Sequence, residues 1–336
     1  MEEKSISGIV DLASAFYGSA TLFAALEIGV FKAIAESGGK ATADGLAETL
    51  GASSRGMRLL LDACVAAGIL AKDGDSYSNT AAGRMALVPG GPAYLGQAIK
   101  YNQDVYPAWG KLAELARTGR PVERPEMHLG DDPERTRRFA LSMRGRALAI
   151  GRGIVPMVDL SGCSRLLDLA GGPGTYAELL VQANPGLSCV TVDVPAVSAV
   201  AAECIAAAGL SDRVECRAGD YRSDEYEANA YDAVTIFGAL HQESPDDIRS
   251  ILARAARALK PSGRVFVLDM MTDETHTSPA FSALFAVNMA LTAKDGWVFS
   301  DTELKNWMKE AGFNPGETKT APPPMPHWIV SATKRS

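Results

Sequence analysis

Cysteine is scarce in this 336-residue chain. Its five cysteines (Cys64, Cys163, Cys189, Cys204, Cys216) are scattered, odd in number and without a C-x-x-C pair, which excludes a disulfide framework and points to a reducing, cytoplasmic setting. Histidine is scarcer, with four. His128, His276 and His327 have no partner at metal-ligand spacing and read as surface or loop residues, so no metal is expected. No run of ~18 or more uninterrupted apolar residues occurs, and the acidic opening MEEKSISGIV lacks the apolar stretch of a signal peptide. No membrane partner is expected. Excess positive charge is also missing: 33 Lys and Arg stand interspersed with 40 Asp and Glu, a net charge of −7, which argues against a nucleic-acid partner and favours a small-molecule one.

What is present is enough apolar material for two self-supporting cores, since 47% of the residues are hydrophobic and the length exceeds that of one usual core. From Ile6 to about Ile34 apolar residues recur at helical spacing, with Leu22, Leu26, Val30 and Ile34 on one stripe. A short helix over Thr42–Leu50, the turn at Gly51, a helix over Arg55–Ala67 and a hairpin turning at Asp73-Gly74 make a winged-helix unit. Residues 1–100 carry eight Lys or Arg against ten Asp or Glu, so this unit is read as pairing subunits or walling a substrate site instead of gripping DNA. Residues 81–130, rich in Gly and Pro, read as a linker that crosses into a further helical stretch, and Pro133 to about Val158 as a helix with Phe139 and Met143 on one face.

At Ser164 the pattern changes. Short apolar runs at 165–169, 187–192, 214–217, 231–237 and 264–268 alternate with helical stretches, which implies a mostly parallel, doubly wound α/β sheet. The expected domains are 1–100, a winged-helix dimerisation domain; 101–158, a helical linker and substrate wall; and 159–336, the α/β domain.

In such sheets ligands sit beyond the carboxyl ends of the strands. The first strand ends in Asp168-Leu-Ala-Gly-Gly-Pro-Gly174, a turn that lets backbone approach a ligand. The second ends at Asp193, 19 positions beyond Gly174, a spacing at which a carboxylate accepts from ribose hydroxyls. Near the third, Asp220 and Tyr221 offer a carboxylate and a ring suited to adenine. A nicotinamide site fits less well, because the turn reads AGGPG where G-x-G-x-x-G is wanted and no second half-fold follows.

The succession LLDLAGGPG, TVDVP, AGDY, DAVTIFGALH and LKPSGRVFVLD resembles the class I S-adenosylmethionine-dependent methyltransferases. With the winged helix, nearly the whole chain is similar to the small-molecule O-methyltransferases of the caffeate and hydroxyindole type. The resemblance implies S-adenosyl-L-methionine as cofactor, bordered by Asp168, Ala170, Gly171, Gly172, Gly174, Asp193, Val194, Asp220, Tyr221, Phe237 and Gly238. It also implies a homodimer formed through the N-terminal domain. His241 stands where O-methylating relatives carry a catalytic histidine. An imidazole, ordinarily near pKa 6.5, takes a hydroxyl proton at neutral pH, an effect worth roughly 10²–10⁴ in rate. Asp269 stands where relatives carry the acid that orients it. The apolar segment 280–292 caps the acceptor pocket in the family, making Asn288 and Met289, with Met143 and Trp297, candidates to line it.

The chain departs from many relatives at several points: Ala170 replaces the first loop glycine, Gln242-Glu243 replaces Asp-Trp, Phe237 replaces a lysine, and the acid expected near Val298 as a second partner of the histidine is absent. Two alternatives to hydroxyl methylation with His241 as general base therefore stay open. One is S-, N- or C-methylation by positioning, and the other is a non-catalytic ligand-sensing regulator.

Overall fold

The computed structural model describes residues 4–91, 93–124, 132–322 and 326–335. His128 lies outside them. The chain divides into two compact units, 1–103 and 104–336.

In the first unit the stripe read as one helix over 6–34 is three: α1 (Ile6–Ser14), α2 (Phe16–Ile28) and α3 (Val30–Glu36). Gly29 causes the sharpest break. Its φ of 89° ends α2 with its N–H on the carbonyls of Ala25 and Leu26, and the chain re-aims into α3. The winged helix then follows as read: β1 (Ala41–Thr42), α4 (Ala43–Leu50), α5 (Ser54–Ala66), β2 (Leu70–Asp73) and β3 (Ser76–Asn79), with sheet order β1-β3-β2. Thr42 and Ser53 cap the two helices by accepting from the N–H groups of Gly45 and Gly56. Phe31, Ile34, Leu46, Met57, Leu61 and Tyr77 fill the core between them. By contrast α1 buries nothing, and Ile6, Ile9, Val10 and Leu12 are exposed. Residues 6–28, of mean hydropathy 1.5, are by length and composition alone long and apolar enough to cross a bilayer.

The linker expected at 81–130 is largely helical: α6 (Ala81–Ala86), α7 (Gly96–Trp109) and α8 (Leu112–Thr118). Its glycines and prolines punctuate helices instead of dissolving them. Gly119, at φ 65°, closes α8, and Pro107 sits in the last turn of α7.

The second unit adds α9 (Pro133–Ile154), capped by Asp132, and then the alternation β4 (Arg165–Leu169), α10 (Thr175–Ala183), β5 (Ser188–Asp193), α11 (Pro195–Ala207), β6 (Val214–Ala218), β7 (Tyr231–Phe237), α12 (Pro245–Ala258) and β8 (Leu259–Asp269). Helices α13 (Ala280–Thr292) and α14 (Asp301–Glu310) precede β9 (Phe313–Thr320) and β10 (Trp328–Lys334). The sheet order is β6-β5-β4-β7-β8-β10-β9, with β4 to β8 parallel and β10 antiparallel to both neighbours. Successive residues serve opposite faces: Leu167, Val234 and Val267 pack with α12 and α14 residues such as Ile251 and Trp307, while Leu166, Ala233 and Phe266 pack with Leu180 of α10. Burial on both sides explains the continuous apolar runs, each large side chain contributing roughly 1.5–3 kcal/mol. Residues 259–263 form the irregular start of β8, where the register with β7 shifts and Ser262 takes a φ of 61°.

The strand order reverses at β4. From there β5 and β6 lie to one side and β7 and β8 to the other, which leaves a crevice at the carboxyl ends.

Candidate active site

At that crevice the β4–α10 turn is drawn down onto β5. Gly171 N–H donates to the Val192 carbonyl at 3.1 Å, and Gly172 N–H to Asp193 Oδ2 at 2.8 Å. A Cβ on Gly171 would collide with Thr191 Oγ1 and the Asp168 carboxylate, so only glycine lets the turn lie this low. Gly172 and Gly174 take φ values of 57° and 72°. Ala170 also sits at positive φ, 54°, a conformation its methyl disfavours.

Asp168 is closed off beneath the turn. It is 1% exposed, and its oxygens accept from Thr235 Oγ1 at 2.7 Å and Thr191 Oγ1 at 3.0 Å. Desolvation outweighs those bonds and pushes its carboxyl up to about 6. Asp193, half-buried at the end of β5, accepts from the N–H groups of Gly172 and Val194, and burial pushes it too up to about 6. Two of its four acceptor positions are so used, and two remain. Val194 caps α11. After β6, Asp220 Oδ1 accepts from Arg222 N–H at 2.9 Å, and the Tyr221 ring is buried against the sheet with its hydroxyl donating to Glu243. Phe237 ends β7 edge-on to Tyr176, ring centroids 5.0 Å apart, and Gly238 follows with its N–H on the Leu268 carbonyl at 2.7 Å.

His241 stands beyond the end of β7, in a single 3-10 turn, Leu240–Gln242. It is 6% exposed, and its Nδ1 lies 2.6 Å from Oδ1 of the fully buried Asp269, which ends the neighbouring β8. Phe285 of α13 meets the imidazole edge-on at 5.1 Å. The proposed acceptor wall is gathered only in part. Met289 packs with Met270 and Phe285, and Asn288 accepts from Trp109 Nε1 at 3.0 Å, while Met143 lies half-buried on α9. Trp297 braces the His241 turn: its N–H and Nε1 donate to the carbonyls of His241 and Glu243 at 2.9 and 2.8 Å, and its half-buried ring packs toward Phe299 and Trp307.

His327 is not the surface or loop residue expected. It is 6% exposed beside the end of β8, its Nδ1 has no partner among the described residues, and desolvation with the Arg146 charge pushes its imidazole down to about 4. His276 is exposed as read. Sequence reasoning also passed over Glu243, Arg222, Thr191 and Thr235. Alternation pointed Thr191 and Thr235 inward, but nothing in the sequence paired Glu243 with Arg222.

Residues 119–314 match the family model of the O-methyltransferase domain, and residues 10–89 that of the O-methyltransferase dimerisation domain. The 3-hydroxy-5-methyl-1-naphthoate 3-O-methyltransferase of Streptomyces sahachiroi is 32% identical over 97% of this chain and 94% of its own length. The tetracenomycin polyketide synthesis 8-O-methyl transferase of Streptomyces glaucescens is also 32% identical, over 91% and 90%. The crystal structure of human N-acetylserotonin methyltransferase in complex with S-adenosylmethionine superposes with a TM-score of 0.88 at 25% identity, covering 100% of this chain and 99% of the other. With both matches in place and relatives aligned along nearly the full length, the chain belongs to the S-adenosylmethionine-dependent O-methyltransferases.

Proposed function

We propose that the enzyme methylates a hydroxyl on a small aromatic or enolic acceptor, with His241 as general base and Asp269 as its orienting partner. The 2.6 Å contact between their buried side chains carries this reading. A carboxylate on Nδ1 selects the tautomer that protonates Nδ1, which leaves the Nε2 lone pair free to take the hydroxyl proton as the oxygen attacks. Asp269 then stabilises the imidazolium.

The donor set fits S-adenosylmethionine. Asp193 retains acceptor capacity that would serve two ribose hydroxyls, the low turn at 170–174 would admit the methionine portion, and Asp220 and Tyr221 would stand on the adenine side. The bound cofactor supplies a methyl on a sulfonium, open to in-line attack. Val194, Phe237 and Gly238 complete its surroundings, and Phe285, Asn288 and Met289 shape the acceptor side, with Met143 from α9. The hydroxylated fused ring in the name of the Streptomyces sahachiroi relative supports an aromatic acceptor. The match to the dimerisation domain and the uncovered apolar α1 support a homodimer formed through the first unit.

Label transfer from methyl-labelled cofactor to a panel of phenols tests the reading. His241→Ala should lower turnover several hundredfold at unchanged affinity for S-adenosylhomocysteine, the demethylated product. A loss below tenfold would reject base catalysis in favour of positioning.

A further inference from the structure

The site holds a further buried carboxylate that the proton transfer does not use. Glu243, two residues beyond His241, is 3% exposed. Its side chain is held entirely from the loop after β6: the Tyr221 hydroxyl donates to Oε1, and Arg222 Nε donates to Oε1 and Oε2 at 3.0 and 2.8 Å. Its backbone is held from the other side. Glu243 N–H donates to the Leu240 carbonyl at 3.0 Å, and Trp297 bridges the carbonyls of Glu243 and His241 with its two N–H groups. The His241 N–H in turn donates to Asp269 Oδ2 at 3.3 Å. One short turn is thus pinned at one end by Asp269 and at the other by Tyr221 and Arg222.

Glu243 occupies the second position of the Gln242-Glu243 pair that stands where many relatives carry Asp-Trp. Arg222 directly follows the Asp220-Tyr221 pair. A single Nε–H shared between both oxygens of a buried carboxylate is geometrically demanding, so displacement of the loop is felt at the turn.

We propose that Glu243 is a positioning residue that ties the adenine-side loop to the turn carrying His241, so that ordering of the loop by bound nucleoside and placement of the base are one event. The proposal rests on the assignment of Asp220 and Tyr221 to the cofactor and of His241 to proton removal.

The test is a double-mutant cycle of Glu243→Gln and Tyr221→Phe, read by calorimetry with S-adenosylhomocysteine and by steady-state kinetics. Each single variant should weaken binding of the product and lower kcat on the order of tenfold, with acceptor KM within about twofold. The double variant should be no worse than the poorer single one. Wild-type affinity and kcat in Glu243→Gln, or strictly additive losses, overturn the proposal. A bond that served only folding would lower thermal stability while sparing both readouts. If Glu243→Gln does not fold, Tyr221→Phe decides alone, since it keeps the ring and removes one hydroxyl: unchanged affinity and kcat overturn the link, and joint loss supports it. Wild-type protein that binds no S-adenosylhomocysteine, or a fully active His241→Ala, would instead sink the underlying site assignment and the proposal with it.

Discussion

Asp269 grips His241 twice, through the imidazole at Nδ1 and through the backbone N–H, one carboxylate oxygen for each. This one side chain therefore orients the ring and pins one end of the turn beneath it. Asp269→Asn keeps the shape but offers Nδ1 an amide donor, which favours the tautomer with the proton on Nε2. The expected outcome is a fall in kcat of roughly 10²–10⁴ with the affinity for S-adenosylhomocysteine unchanged. Stopped-time assays with matched calorimetry check it, and a loss in affinity equal to that in kcat would contradict the assigned role.

Cofactor binding should weaken in mild acid. Asp193, raised to about 6 by burial, must be ionised to accept from ribose hydroxyls, so the bound state favours the proton-free form. Lowering the pH one unit below that value, to about 5, should weaken S-adenosylhomocysteine binding about tenfold relative to pH 7.5. Asp193→Asn should bind weakly at both values, and an equal affinity of wild type at pH 5 and 7.5 would refute the assignment.

His327 should contribute an acid-sensitive share of the stability. Its folded value of about 4 lies below the ordinary 6.5, so the unfolded chain binds the proton first. That share is lost as pH falls from 6.5 toward 4, on the order of 2 kcal/mol by pH 5. Asp168 and Asp193, raised to about 6, act in the opposite sense, because the fold takes up their protons before the unfolded chain does. Urea titrations of wild type and His327→Gln at pH 7.5 and 5 isolate the histidine: the stability gap between the proteins should shift in favour of the variant at the lower pH.

Ala170→Gly should stabilise the protein. Relief of the left-handed alanine, about 1–2 kcal/mol, exceeds the backbone entropy that glycine adds, about 0.5–1 kcal/mol, leaving a gain of about 0.5–1 kcal/mol. The neighbouring Gly171→Ala should do the reverse and abolish S-adenosylhomocysteine binding, because its methyl must displace Thr191 or Asp168. Denaturant midpoints for the pair test both signs.

Ile9→Asp combined with Leu12→Asp should yield monomers. Both side chains are more than half exposed on a helix that buries nothing within its own chain. Sedimentation at micromolar concentration should show dimer for wild type, and a dimer that survives both charges would place the pairing surface elsewhere.

Much of this was legible in the sequence because parallel strands covered on both faces read as unbroken apolar runs. Strand β7 was anticipated to the residue, and the juxtaposition of His241 with Asp269 was implied by the resemblance. What escaped depends on tertiary closeness. His327 sits in a stretch that reads as loop, and its burial arises only because β10 runs antiparallel along β8. The resemblance implied Trp297 as a lining candidate, but it gave no sign that both its N–H groups are claimed by backbone carbonyls of a turn more than fifty residues earlier. The helices between 81 and 118 were hidden because glycine and proline mark helix ends as well as loops.

Every group proposed for the nucleoside comes from residues 168–238, whereas α13 starts at 280. The groups proposed for the donor and those that α13 is proposed to offer the acceptor therefore belong to separate passages of the chain, with Met143 of α9 added to the acceptor side from a third. Transplanting 280–292 from a relative with a different acceptor could redirect which molecule is modified without rewriting how the methyl is delivered, provided the imported helix still offers Trp109 an amide.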